Sequence, residues 1–71
     1  MRLTIEIDQE EDGRYIADVV EMPGVLTYGA TRDEAIARVQ ALALRVLADR
    51  LEHGEPLPEA VQVSQVFAVA A

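Results

Sequence analysis

Several residue types on which catalysis and cross-linking depend are missing from this chain of 71 residues. It has no cysteine, so neither disulfide bonds nor thiolate–metal sites can stabilise it. It has no lysine either, and the two absences together exclude Schiff-base and thiolate chemistry. The only serine, Ser64, has no base near it in sequence, and the only histidine, His53, falls where a cation stabilises a helix end. We therefore expect no enzymatic activity, no cofactor and no metal.

Positive charge and long apolar runs are also scarce. The chain has 13 acidic residues against 6 basic ones, all arginine, for a net charge of −7, and such a surface repels phosphate groups. We expect no direct binding to nucleic acid or to anionic membranes, and a basic protein is the favoured partner. The alternative is that the acidity only maintains solubility. No run of 18 apolar residues and no signal-peptide pattern occurs, which predicts a cytoplasmic protein.

The first half of the chain alternates between apolar and polar residues, as strands with one buried face do. Asp12-Gly13 is a strong hairpin turn pair, and Pro23-Gly24 ends the second strand. Asp18, on the second strand, is expected to pair with Arg14 or Arg2. Three strands are predicted, at about residues 2–8, 14–21 and 25–30.

A helix over about residues 32–53 follows. Thr31 and Glu34 form a predicted capping box, and Gly54 is placed to end the helix in a left-handed conformation. The apolar stripe is wider than a small sheet requires, so Leu44 and Ala48 are candidates for a subunit contact. The alternative is that Leu44 is an ordinary exposed leucine and the alanines only favour helix.

The last segment, residues 62–70, is β-branched, aromatic and uncharged, and it predicts a fourth strand. A right-handed crossover places this strand beside the first one. The expected fold is α+β, a single β-β-β-α-β domain over residues 1–71, with a four-stranded mixed sheet in the order 3-2-1-4 and one helix on one face. An uncharged edge strand invites pairing. We therefore expect another subunit to cover Val66, Phe67 and Val69 in a homo-oligomer, a dimer or a tetramer.

Short motifs in a fixed order give the chain a family resemblance. They are Asp12-Gly13-Arg14-Tyr15-Ile16-Ala17, Met22-Pro23-Gly24, Tyr28-Gly29-Ala30-Thr31, Asp33-Glu34-Ala35 and Gly54-Glu55-Pro56-Leu57-Pro58. In this order and spacing they resemble the HicB family of type II toxin–antitoxin systems, also called HicB-like small domains, over about residues 3–60. Val25 departs from the family pattern, which often has cysteine after the Pro-Gly pair.

The resemblance implies a partial ribonuclease H-like fold without nuclease activity, and an antitoxin that binds a small basic HicA-type toxin and blocks its mRNA-facing surface. Many family members also carry a C-terminal DNA-binding module, which we do not expect here because the residues after Pro58 are few and strand-like. The acidic residues predicted to contact the toxin lie on the open sheet face or the hairpin end: Glu6, Asp8, Glu10, Glu11, Asp12 and Glu21.

Two other functions stay open at this stage. The first is an orphan HicB-like domain that forms homo-oligomers and has no toxin partner. The second is a metal-dependent nuclease, since Asp8 sits where a ribonuclease H-like fold places one metal ligand. It is disfavoured because residues 60–71 contain no acid to supply another ligand.

Overall fold

A meander of three antiparallel strands precedes one long helix in the computed structural model, which describes residues 2–70. The strands are β1 (Ile5–Gln9), β2 (Tyr15–Val19) and β3 (Leu26–Gly29), and they pair in the order β1-β2-β3. The helix α1 spans Arg32–Glu52, and a 3₁₀ turn spans Val63–Gln65. The predicted α+β class and the pairing of the first three strands are confirmed.

The two strand connections have the turn geometry that the sequence predicts. In the first, Glu10 N donates to Arg14 O over 2.7 Å, and Gly13 takes the left-handed conformation at a φ of 91°. In the second, Val25 N donates to Met22 O, and Gly24 has a φ of 90°. Both glycines adopt backbone angles that other L-residues rarely reach.

Local side-chain chemistry fixes both ends of α1. Thr31 Oγ1 accepts a hydrogen bond from Glu34 N at 3.1 Å, which confirms half of the capping box. The other half, a hydrogen bond from Thr31 N to the Glu34 carboxylate, is wrong. That carboxylate forms a salt bridge with Arg38 over 2.8 Å instead. At the C-terminus Gly54 has a φ of 66°. Gly54 N donates to Leu51 O and Glu55 N donates to Arg50 O, and these two bonds make the double closure of a Schellman motif.

The core lies between α1 and the inner face of β2 and β3. Its largest fully buried side chains are Met22 and Val39. On the first turns of α1, Ala35 is fully buried, whereas its neighbour Ile36 is only half-buried. The remaining buried residues are small or branched: Ala17, Val19, Val25, Ala43, Leu47 and Val61.

The predicted fourth strand is absent from the described residues. The 3₁₀ turn occupies Val63–Gln65, and residues 66–70 have no regular structure. Within residues 2–70, β1 is therefore an edge strand and the order 3-2-1-4 is not formed. The β preference of valine and phenylalanine depends on a neighbouring strand and a buried face. Leu57 and Val61 instead pack against the core at the end of α1, and the segment that follows has no strand beside it.

Candidate protein-binding surface

The sheet face opposite α1 is open and divides into an acidic half and an apolar half. The register places Glu6 opposite Asp18 and Asp18 opposite Leu26. In the next row, Asp8, Ile16 and Tyr28 are cross-strand neighbours. The face therefore changes from carboxylates on β1 to exposed apolar and aromatic groups on β3, with Leu26 43% and Tyr28 36% exposed.

Glu6 and Asp18 form a like-charged pair directly across β1 and β2. Such a pair is destabilising, because the two carboxylates repel each other at a short cross-strand distance. No arginine within residues 2–70 forms a salt bridge with either acid, so the predicted pairing of Asp18 with Arg14 or Arg2 is wrong. The chain's own fold gains nothing from this pair, whereas a cationic partner would relieve the repulsion.

Arg14 ties the hairpin end to the apolar half of the face. Its Nε donates to Asp12 Oδ2 over 2.7 Å, and its guanidinium carbon lies 4.6 Å from the centroid of the Tyr28 ring. Hydrogen bonds from the Arg14 backbone N–H and side chain lower the pKa of Asp12. The charge of Asp12 is thus already paired within the chain, which weakens it as a contact for a partner.

Glu21 also has an internal partner. Its carboxylate accepts hydrogen bonds from the backbone N–H and the hydroxyl of Thr4, both at 2.8 Å. These two bonds hold the pKa of Glu21 below its ordinary value. Glu21 therefore fastens the start of β1 to the end of β2, beyond Val19.

We expect Glu21→Gln to change the acid response of the fold. A carboxylate whose pKa is lowered on folding stabilises the protein above its unfolded pKa, and this contribution is lost as the pH falls through the folded pKa. The wild type should be more stable than the variant at pH 7, and the difference should shrink below the ordinary value of 4.5. Urea unfolding at stepped pH measures it. Glu11→Gln makes the same charge change on an exposed turn residue and is the control for the loss of one negative charge.

The six predicted acidic contacts do not form one patch. Glu6 and Asp8 lie side by side on the open face, and Glu10, Glu11 and Asp12 lie in or beside the β1–β2 turn. Glu21 lies at the other end of the hairpin, beside Thr4. Only Glu6 and Asp8 share a face with Asp18, Leu26 and Tyr28, which the sequence reasoning did not select.

The predicted subunit contacts come together in part. Leu44 and Ala48 on α1 line one hollow with Val66 and Phe67, whereas Val69 lies outside it and is 97% exposed. Leu44 also borders a second hollow between α1 and β1, lined by Leu3, Ile5, Val19, Gln40 and Ala43. The two hollows are separate but share Leu44 as a common lining residue.

The residue types that could carry chemistry are dispersed. His53 Nδ1 lies 2.7 Å from Asp49 O, in the last turn of α1. Among residues 2–70 no three histidines or acids are grouped closely enough to hold a metal ion. In the same part of the chain, no helix has the length and hydropathy needed to cross a membrane.

Comparison with known proteins identifies a relative of similar length. The UPF0150 protein Ta0767 of Thermoplasma acidophilum is 31% identical over 58 residues, which cover 82% of this chain and 84% of the relative. No family model and no solved structure matches the chain. The identity extends over most of both proteins, and on that basis the chain belongs to the UPF0150 family.

Proposed function

We propose that this protein is a HicB-type antitoxin, which neutralises a small basic mRNA-cleaving toxin of the HicA type by direct binding. The motif order around Gly13, Pro23 and Gly29, together with the net charge of −7, supports this assignment. The sheet and helix would then be the retained part of a ribonuclease H-like fold that acts through its surface and not through catalysis. The site of action would be the cytoplasm, where the toxin meets mRNA.

The observation that carries the proposal is the divided open face of the sheet. A toxin that binds RNA must present a basic surface, because phosphate neutralisation dominates RNA affinity. Three carboxylates on this face, those of Glu6, Asp8 and Asp18, would take the place of the RNA phosphates. Their charge would attract the basic surface of the toxin. Leu26 and Tyr28 are exposed beside them and supply the apolar and aromatic anchors that give an interface most of its energy.

Reversing charge on this face should release the toxin. We expect the double variant Glu6→Lys and Asp8→Lys to bind its proposed HicA-type toxin at least ~100-fold more weakly, since each lost charge contact changes affinity by roughly tenfold or more. Titration calorimetry measures the affinity, and an mRNA cleavage assay measures inhibition. The variant should leave cleavage uninhibited at concentrations where the wild type stops it.

The matched control is Glu52→Lys with Glu55→Lys. It changes the net charge by the same amount, but at exposed positions at and beyond the C-terminus of α1, away from the open face. It should inhibit nearly as well as the wild type. Equal losses in the two double variants would mean that only net charge matters, and full inhibition by the open-face variant would exclude the open face as the toxin site.

A second function is an orphan homo-oligomeric domain without a toxin. The exposed apolar surface on α1 and the tail favours it, with Leu44 61% and Phe67 68% exposed. Co-expression with any short basic protein encoded beside this chain separates the two functions. A complex of both chains supports the antitoxin, whereas recovery of this chain alone, with RNA cleavage unimpaired in its presence, supports the orphan domain.

A further inference from the structure

The chain exposes more surface than a folded monomer of its size should. Its accessible area is 5276 Å², whereas general scaling for monomeric proteins gives about 4,400 Å². Its radius of gyration is 14.1 Å against roughly 11 Å for a compact domain of this length. The excess of about 900 Å² is close to what each partner buries in a stable protein interface.

Much of this excess lies in the tail, defined here as residues 66–70. Val66 is 54% exposed, Phe67 68% and Val69 97%, and none of the tail residues is charged. Within the described residues, the only backbone hydrogen bonds from the tail are those from Val66 N and Phe67 N to Val63 O. The longest dimension of the molecule is 53 Å, whereas α1 with its 21 residues is about 31 Å long. The molecule is therefore drawn out well beyond the length of its helix.

The outer edge of β1 has backbone groups that could form hydrogen bonds with the tail. Thr4 O accepts from Val20 N, and Glu10 N donates to Arg14 O, so the even-numbered residues of this segment bond toward β2. The alternation of an antiparallel strand then directs the backbone groups of Ile5 and Ile7 away from the sheet. Their side chains face α1 but stay half-buried, because the helix packs mainly over β2 and β3.

We infer that two copies of this chain exchange tails, each tail lying along β1 of the other copy as the fourth strand of its sheet. The tail and β1 are each five residues long, and both have unpaired backbone groups. The groove between β1 and α1 is lined by apolar residues with Gln40 as its one polar member, so it suits the uncharged tail. A basic partner would instead find its complement on the opposite, acidic face.

The exchange also explains why a tail does not fill its own groove. Leu57 and Val63 pack against the core at the end of α1, and they hold the start of the tail there. A reciprocal arrangement about a two-fold axis gives two identical tail contacts and leaves neither β1 edge open. The inference goes beyond the proposed function and does not depend on it, because the open face stays free for the toxin.

Sedimentation equilibrium of the full chain tests the exchange. We expect the wild type to be a dimer at micromolar concentration, and Phe67→Asp or Val69→Asp to weaken dimerisation at least ~30-fold, the effect of burying a charge at a central contact. Both side chains are exposed in the monomer, so circular dichroism should show the fold unchanged. Gln65→Asp adds the same charge at an exposed position just before the tail and should dimerise like the wild type.

Amide hydrogen exchange locates the contact. The N–H groups of Ile5 and Ile7 should exchange at least ~10-fold more slowly in the wild-type dimer than in Phe67→Asp, because tail pairing bonds them. A monomer at every concentration up to millimolar would overturn the inference. So would a dimer that survives both tail variants, or one in which these two amides exchange as fast as in the variant.

Discussion

Gly29→Ala is expected to destabilise the fold by about 3 kcal/mol, at the upper end of what overpacking a core usually costs. A Cβ at this position would lie 2.5 Å from the backbone N of Ala35 and 2.9 Å from its Cα. Backbone atoms at the first turn of a helix cannot rotate away as a side chain can. The end of β3 and the start of α1 would have to separate, which also disturbs the cap at Thr31.

Thermal unfolding at fixed protein concentration measures this effect. For a domain of this length, about 3 kcal/mol corresponds to a fall in Tm of roughly 12–24 °C.

Gly13→Asn is the control. Gly13 has a φ of 91°, which asparagine tolerates, and no atom lies within 4 Å of the place where a Cβ would be. Its cost should stay below about 1 kcal/mol. Adding Ala35→Gly to Gly29→Ala should not restore stability, since the clash is with backbone. A Tm equal to that of the wild type would show that the strand and helix are not in close contact.

Met22→Ala should have the next largest effect, a loss of about 3 kcal/mol in the free energy of unfolding. Met22 is fully buried in the β2–β3 connection, and it is one of the two largest side chains that are wholly removed from solvent. Truncation leaves a cavity between the turn and α1. A domain of this length has a total stability of only about 4–11 kcal/mol, so the variant should approach the threshold of unfolding at moderate temperature.

Met22→Leu is the matched control, because it keeps the apolar volume and should cost less than about 1.5 kcal/mol. Urea unfolding of both variants separates the loss of packing from the loss of methionine itself. Equal destabilisation by leucine and alanine would mean that the shape of methionine, and not the volume it fills, holds the turn against the helix.

The features that sequence reasoning predicted well are those decided by neighbours along the chain. The Asp12-Gly13 turn, the Thr31 cap and the Gly54 closure each depend on one or two residues and on backbone geometry, and the structure has all three. The return bond of Glu34 failed because Arg38, one turn later, competes for the same carboxylate. A capping box and an i,i+4 ion pair are both local, and the sequence does not rank them.

The features that sequence reasoning missed depend on which residues lie opposite one another in space. Residues 62–70 have the composition of a strand, but a strand also needs a partner edge, and the described chain brings none to them. Likewise, the chemical division of the open face follows from the register that places Glu6, Asp18 and Leu26 in one row. Alternation along one strand gives the face of each residue, but not its neighbours across the sheet.

The strand order has a kinetic consequence. Each strand pairs with its neighbour along the chain, and α1 follows β3 after only two residues, so the loops that must close during folding are short. Short loops cost little chain entropy, and proteins built from such contacts cross their folding barrier quickly. The sheet and helix can therefore form in a single chain before any encounter with another molecule, and association becomes a later, concentration-dependent event between units already folded.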